Sequence, residues 1–281
     1  MALAGRWAKA DDRVLLVDAD AAGSRLADRL GAIVGADYSP AERGLPSLIV
    51  ARQHLTLGLL AEHCYALSAS AGSLWGLFGP RNPHGARYAA GWLAERADAL
   101  MTIGRTRRVV VTGRLAHDDS TLAPLMSIAP VVTVLSPLTT LEEAKELLSL
   151  CRSTGMMQFD RAQRLLLIEG ACPLDDEEVR LESGLRVAAE LPAIDDERVL
   201  RMHSGRRDRA FSGAIDKCAA RIAALLDLHN GDAASDGALA DADGDADRDV
   251  GRDSALDVVA AAGNGIQPNA DGRVSAIHGG D

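Results

Sequence analysis

The sequence has few cysteines, few lysines and no long apolar run, and these shortages exclude several classes of protein. Its four cysteines, Cys64, Cys151, Cys172 and Cys218, lie far apart and form no C-x-x-C pair. This spacing argues against a disulfide framework or a zinc site and is typical of reduced thiols. No stretch approaches the roughly 18 to 20 apolar residues of a membrane span, and no signal-peptide pattern occurs. We therefore expect a cytoplasmic protein.

Lysine is scarce and acid is concentrated at one end. Only three lysines occur, against 27 arginines. Residues 231–281 contain eleven aspartates, no glutamate, three arginines and no lysine, which accounts for −8 of the net charge of −10. The near-neutral body gives no argument about a polyanionic partner. Because the acidic segment has too few large apolar side chains to offset the entropy of ordering, we expect a domain over residues 1–228 and a disordered tail over residues 229–281.

The most informative stretch is Arg13–Asp20 (RVLLVDAD), a short apolar run that stops on two acids. Such a run predicts a strand buried on both faces of a parallel sheet. Asp18 and Asp20 would then lie at the carboxyl end of the strand, where open α/β sheets bind their ligands. The residues alone equally allow a strand that ends on a polar turn with a helix cap.

Strands alternate with helices along the first 228 residues. The pattern predicts strands at 13–17, 72–79, 108–113, 129–135, 164–168 and 185–191, and helices at 1–10, 24–30, 47–53, 57–66, 86–101, 175–183 and 210–228. A further helix ends at Cys151 and begins at a capping box, formed either by Thr139 with Glu142 or by Thr140 with Glu143. This alternation predicts an α/β fold in which helices cover both faces of a mostly parallel sheet.

The order of strand, Asp-x-Asp, helix and later strands, closing on Leu191-Pro192, resembles the MinD/ParA superfamily of deviant-Walker ATPases. Within it, the pattern is most similar to the actinobacterial group of CpaE- and TadZ-like proteins. The resemblance covers roughly residues 2–226, and VLLVDAD is its strongest piece. It implies a P-loop NTPase-like fold and a cytoplasmic protein that acts through protein partners in secretion-machinery placement, septum placement or partition. Relatives dimerise across the nucleotide, so a homodimer is compatible with it.

The resemblance also assigns residues to a nucleotide site. By it, Asp18 and Asp20 would orient metal-bound or attacking water. The segment Arg108–Arg114 stands where the family commonly carries an Asp that holds the magnesium shell. This sequence offers Val111-Thr112-Gly113 there instead, with Gly113 at the end of the strand. Glu169 stands where relatives often carry an Asn that reads the adenine. These are the four residues expected to border a nucleotide.

A third departure is the absence of G-x-x-x-x-G-K-[ST], the loop whose backbone N–H groups and lysine hold the phosphates. In the family this loop precedes the helix at 1–10, so we expect the first strand to be absent. We expect no bound cofactor, and ATP with magnesium only if the loop lies upstream of Met1. In both cases we expect weak or absent hydrolysis.

Two explanations therefore stay open. The protein is either a pseudo-ATPase that keeps the fold as a binding platform, or an active MinD/ParA-type ATPase whose first strand and phosphate loop lie upstream. Losing a central strand would leave its neighbours with unpaired backbone groups in a dry interior, which favours the second explanation. Restoring the strand would still supply no acid at Val111 or Thr112.

A nonspecific DNA-binding module is a further alternative, because five arginines precede the last predicted helix and could contact phosphates. Interleaved acids favour a solvated, salt-bridged surface instead, and the acidic C-terminus excludes a MinD-like basic membrane helix. The five are Arg198, Arg201, Arg206, Arg207 and Arg209.

Other candidate sites are weak. His54 and the pair His63-Cys64 have no third ligand at metal spacing. No G-x-S-x-G supports serine catalysis. The alternating aspartates from Asp241 to Asp249 lack the glycine at position six and the glutamate at position twelve of a calcium loop. A Gly- and Pro-rich turn could bind an anion at the start of a helix, although a plain loop explains it better; it spans Gly79 to Gly85 and contains Arg81, Asn82 and His84.

Overall fold

The computed structural model describes residues 2–9, 13–24, 26–29, 42–67, 74–103, 107–117, 119–158, 163–192, 209–240 and 257–262. Its strands are β1 Val14–Asp18, β2 Tyr65–Ala66, β3 Leu74–Leu77, β4 Arg107–Arg114, β5 Val131–Ser136, β6 Gln163–Glu169, β7 Arg186–Leu191 and β8 Asp257–Ala262. Its helices are α1 Ala2–Lys9, α2 Leu26–Arg29, α3 Leu45–Ala51, α4 Leu57–His63, α5 Pro83–Ala94, α6 Ala97–Thr102, α7 Ala123–Ile128, α8 Leu141–Ser153, α9 Asp176–Ser183 and α10 Arg209–Ala240, with a 3-10 turn at Met156–Gln158.

The strands form one sheet in the order β2-β3-β1-β4-β8-β5-β6-β7. Neighbouring strands are parallel, except for the short edge pair of β2 and β3. All five residues of β1 are buried, as expected for a strand with helices on both sides. The prediction of an α/β fold with a mostly parallel sheet is confirmed.

Helices cover both faces of the sheet, and β1 divides its side chains between them. Leu15 and Val17 belong to the core beneath helices α3 to α9. Val14 and Leu16 belong to the core beneath α1 and α10. On that second face, Arg6 of α1 forms an ion pair with Asp216 of α10 at 2.7 Å. The alternation follows from the period of two along a strand.

The C-terminal segment differs from the expectation of disorder in two parts. Helix α10 continues past residue 228 to Ala240. Residues Asp257–Ala262 form β8, which lies between β4 and β5 in the middle of the sheet. Composition did not predict this strand, because the strand is stabilised by pairing with the backbone groups at the facing edges of β4 and β5. The rest of the expected tail, at 241–256 and 263–281, lies outside the described residues.

Several element boundaries differ from the prediction for local reasons. The helix predicted at 57–66 ends at His63, because Cys64 takes an extended backbone and leads into the edge strand β2. The single helix predicted at 86–101 is two helices, α5 and α6, separated at Glu95 and Arg96. The short helix α7 was not predicted. Its six residues are too few for a periodic pattern to stand out.

Two helix starts illustrate how nearby residues fix the beginning of a helix. The capping box of Thr140 and Glu143 is confirmed. Thr139 does not cap with Glu142; its N–H instead donates to the Glu143 carboxylate at 2.6 Å. Helix α3 begins at Leu45, so Pro46 lies in its first turn, where a missing N–H costs nothing.

Candidate functional site

The two predicted acids lie where the chain changes direction in the sheet. From β1 the chain passes to β3 on one side and then to β4 on the other side. Such a reversal opens a crevice beyond the carboxyl ends of the strands. Asp18 is the last residue of β1 and pairs in register with Val111 of β4. The N–H of Ala19 extends this pairing by donating to the Val111 carbonyl at 2.8 Å.

Asp18 is buried, and both of its carboxyl oxygens accept hydrogen bonds. The Ser24 hydroxyl donates to Oδ2, and the backbone N–H of Asp20 donates to Oδ1 at 3.3 Å. Burial raises the pKa of Asp18 to about 6, although these hydrogen bonds act in the opposite direction. The side chain is 1% exposed. The Asp18 side chain therefore links the end of β1 to the start of α2, and its burial disfavours the charged form of the carboxyl.

Asp20 packs directly on Gly113. A Cβ added to Gly113 would lie 2.1 Å from Cγ of Asp20, and the φ angle of Gly113 is +74°. Both the contact and the angle therefore require glycine at this position. Asp20 is half-buried and accepts a hydrogen bond from the Ala22 N–H at 2.9 Å. The acid is held in a tight turn by its own backbone and by β4.

A bulge in β4 creates this contact. Strand β8 pairs with β4 in register up to Val111 and again at Arg114, with an irregularity between them. Thr112 and Gly113 occupy the irregular stretch, and bulges of this kind often lie next to active sites. Thr112 is buried. The crevice thus contains a hydroxyl where the family resemblance leads one to expect a carboxylate.

The crevice is bordered by the segment after β1, by the end of β4 and, as a third wall, by the turn after β3. The Ser24 N–H donates to the Pro80 carbonyl at 2.9 Å. A Cβ added to Gly23 would lie 2.4 Å from the Arg81 carbonyl oxygen. Within this turn the Asn82 side chain accepts from the Gly85 N–H at 2.7 Å and so caps α5. The helix-start interpretation of the turn is confirmed, while anion binding there stays a prediction.

The structure brings together three of the four residues expected to border a nucleotide, namely Asp18, Asp20 and Gly113. Glu169 ends β6 at the same edge of the sheet, but four strand positions from β1. At about 4.8 Å per strand this is roughly 19 Å away. Sequence reasoning did not identify Ser24 as part of the site. A serine near a helix start reads as an ordinary cap, so no sequence signal marks its contact with Asp18.

The other predicted candidates do not assemble into a site. Arg209 is the exposed first residue of α10, whereas Arg198, Arg201, Arg206 and Arg207 lie outside the described residues, as do the aspartates from 241 to 249. His63 Nδ1 lies 2.7 Å from the Ser47 hydroxyl, a contact that joins α4 to α3. In the described ranges, no three His, Cys, Asp or Glu side chains are grouped so as to hold a metal ion.

Three of the four cysteines are sealed in the core. Burial raises the thiol pKa of Cys64, Cys151 and Cys218 to about 12. Cys172, after β6, is half-buried.

Among the helices that the structure describes, none is long and apolar enough to cross a membrane.

A surface groove of about 790 Å³ lies between α3 and α5. Val50 and Tyr88 border it and are 78% and 64% exposed. The Arg96 guanidinium stacks over the Trp92 ring at 4.4 Å from the ring centroid. Sequence analysis did not identify this groove, because its two walls are more than thirty residues apart in the chain.

No protein-family model and no curated protein sequence matches this chain. Solved structures do resemble it. A ParA family ATPase from Chlorobium tepidum TLS is 19% identical, covers 78% of this chain and 90% of its own, and gives a TM-score of 0.54. The septum site-determining protein MinD of Pyrococcus horikoshii OT3, solved with Mg-ADP, is 15% identical, with coverages of 81% and 90% and a TM-score of 0.59.

A third neighbour is the MinC:MinD cell division protein complex of Aquifex aeolicus. It is 16% identical to this chain, with coverages of 79% and 88% and a TM-score of 0.51. At these identities the likeness concerns the fold. The chain therefore has the fold of the MinD and ParA ATPases.

Proposed function

We propose that this protein is a MinD/ParA-like positioning or regulatory protein that acts through protein contacts and whose nucleotide binding is degenerate or lost. The observation that carries the proposal is the state of Asp18. Its oxygens already accept hydrogen bonds from Ser24 and Asp20, and burial raises its pKa to about 6. Both oxygens of this 1% exposed side chain are already engaged, whereas a hydrated magnesium ion needs accessible carboxylate oxygens.

The remaining residues of the crevice support the same proposal. A triphosphate needs positive groups and backbone N–H donors around its oxygens, with acids to hold the metal. Arg81 and Arg114 lie near the crevice, but no lysine occurs between Lys9 and Lys145. Position 112 supplies a buried hydroxyl instead of a carboxylate, and Asp20 fills the space beside Gly113. The described residues therefore do not fit a magnesium-bound triphosphate.

The proposed mode of action is protein binding. The Aquifex aeolicus neighbour is a MinD in complex with MinC, so this fold serves as a docking platform in at least one cell-division protein. We propose the same use here, in septum placement, partition or, as the CpaE-like pattern suggests, secretion-machinery placement. We also propose that the protein acts in the cytoplasm and that it forms a homodimer.

Thermal unfolding of the full chain with ATP and magnesium tests the loss of nucleotide binding. A ligand present at 100 times its Kd stabilises the folded state by about 2.7 kcal/mol. For a domain of this size that amounts to a rise in Tm of roughly 5 to 10 °C. We expect no magnesium-dependent rise at 1 mM ATP. ADP and magnesium alone serve as control ligands.

A clear rise in Tm that disappears in Asp18→Ala or Asp20→Ala would overturn the proposal and support the alternative of an active ATPase. The matched control is Asp98→Ala, at an exposed acid of α6. A rise retained in both site variants and in the control would also overturn it, because it would place a nucleotide site elsewhere. The genomic sequence upstream of Met1 can be translated and searched for a strand and a Gly-rich loop with lysine.

A further inference from the structure

Strand β8 occupies a slot that the rest of the domain leaves open. It lies between β4 and β5 and is parallel to both. Without it, the facing N–H and C=O groups of two interior strands would have no partner strand. Buried backbone groups in folded proteins are almost always paired, so the slot requires an extended segment.

The walls of the slot select an apolar strand without proline. Val109 and Val110 of β4 are at most 3% exposed, as are Val131 and Val132 of β5. The register places Val258 between Val109 and Val131, Val259 between Val110 and Val132, and Ala260 between Val111 and Thr133. The segment DVVAAA is apolar after its first residue and contains no proline, as expected for an interior strand of a parallel sheet.

We propose that the slot between β4 and β5 is a strand-binding site and that its ligand is the chain's own segment Asp257–Ala262, docked in cis. The sixteen residues 241–256 connect this segment to the end of α10. Fully extended, sixteen residues span roughly 50 Å, so the segment can pair at up to that distance from the end of α10.

Docking of β8 also bears on the crevice at Asp18. The β4 bulge that holds Gly113 against Asp20 is defined by the pairing of Val111 and Arg114 with β8. Release of β8 would remove the partner that fixes both ends of this bulge. The segment therefore links the C-terminal part of the chain to the site between β1 and β4.

Hydrogen exchange of the full chain gives the direct test. We expect the amides of residues 258–261 to exchange at least about 100-fold more slowly than in an unstructured peptide, like those of β5. Exchange of these amides at the unstructured rate would overturn the proposal. The measurement needs no variant and so does not depend on the folding of an altered chain.

A proline in β8 tests whether the slot depends on the segment. Ala260→Pro removes a ladder N–H in an interior strand, so we expect faster exchange in β4 and β5 and a lower Tm. The matched control is Ala270→Pro, which lies beyond the strand and should leave both unchanged. A failure of Ala260→Pro alone to fold supports the proposal. Wild-type exchange in β4 and β5 of Ala260→Pro overturns it.

Cleavage of the connection tests docking and its origin in the same chain. A protease site inserted at Gly251 allows the C-terminal fragment to be cut free in the folded protein. Co-elution of both fragments without denaturant supports docking, and their separation overturns it. Protection of residues 258–261 that persists on dilution to monomer supports docking in cis. Protection that is lost on that dilution overturns the cis arrangement and assigns the strand to a second copy.

Discussion

The carboxyl edge of the sheet has two contrasting ends, one at β1 and β4 and the other at β6. At the first end, backbone and acid are in direct contact: Asp20 lies on Gly113, and Gly23 lies on the Arg81 carbonyl. At the second end, Gly170 follows Glu169 with a φ angle of +88°, and no atom lies within 4 Å of an added Cβ. Both ends carry an acid on a parallel strand, but only the first forms an enclosed crevice.

The difference shows that an acid at the end of a strand does not by itself make a site. Asp18 acquires a pKa of about 6 because three segments close over it, not because of its place in the strand. Glu169 is only half-buried. Enclosure by neighbouring backbone therefore separates the two ends, and the following substitutions test that difference.

The largest effect is expected for Gly23→Ala. The new Cβ would lie 2.4 Å from the Arg81 backbone carbonyl, and the φ angle of +111° is strained for any L-residue. Clash and strain together should lower the free energy of unfolding by about 4 kcal/mol. Gly170→Ala is the matched control, because it has a positive φ angle but open space, and should cost about 1 kcal/mol. If urea unfolding gave equal losses of unfolding free energy for the two variants, the distinction between the two ends would be contradicted.

The second effect is the pH dependence of stability that Asp18 causes. Its pKa is about 6 when folded and 3.8 ordinarily, so between these values the native state binds more protons than the unfolded state. Its contribution is fully present below pH 3.8 and is lost as pH rises through 6, a decline of about 3 kcal/mol. Denaturant unfolding from pH 3.5 to 7.5 should show this decline in the wild type but not in Asp18→Asn.

The control for this pH dependence is Asp98→Asn, which alters an exposed acid on α6 and should keep the wild-type profile. If Asp18→Asn retained the whole decline between pH 3.8 and 6, the buried state of Asp18 would be contradicted.

A smaller effect is expected for Ser24→Ala. The substitution removes the hydroxyl that donates to Asp18 Oδ2 inside the closed end. Loss of this buried donor should cost about 1 to 2 kcal/mol at neutral pH. Because the bond lowers the pKa of Asp18, its loss should also move the midpoint of the pH decline upward. Ser127→Ala, at a hydroxyl on the exposed part of α7, should change neither quantity appreciably.

The smallest effect on stability is expected at the open end, for Cys172→Ser. Cys172 is half-buried, whereas Cys64, Cys151 and Cys218 are buried with thiol pKa values of about 12. The substitution should change the free energy of unfolding by less than about 0.5 kcal/mol. It should also abolish the fastest alkylation of the native protein, followed by mass spectrometry at pH 8. Fast alkylation of Cys64, Cys151 or Cys218 would instead contradict the burial of these thiols in the core.

The sequence by itself determined the class of fold and the first strand of the site. An apolar run such as VLLVD is stable only where helices cover both of its faces, so β1 and its terminal Asp18 could be predicted. Cap residues are local as well, and the spacing offered Thr140 with Glu143 as one of two possible capping boxes. Asp18, Asp20 and Gly113 meet as expected, because parallel strands end at one edge of a sheet.

Only the tertiary structure decided which strand ends are enclosed and which segment completes the sheet. Glu169 lies apart because β8 and β5 stand between β4 and β6, and strand order depends on pairing between distant segments. Asp257–Ala262 joins the sheet although the composition of the acidic segment around it predicts disorder, because β4 and β5 offer unpaired backbone groups that no local pattern records. Ser24 reaches Asp18 for the same reason: the contact depends on where the chain turns after β1, and its energy arises only once the crevice excludes water.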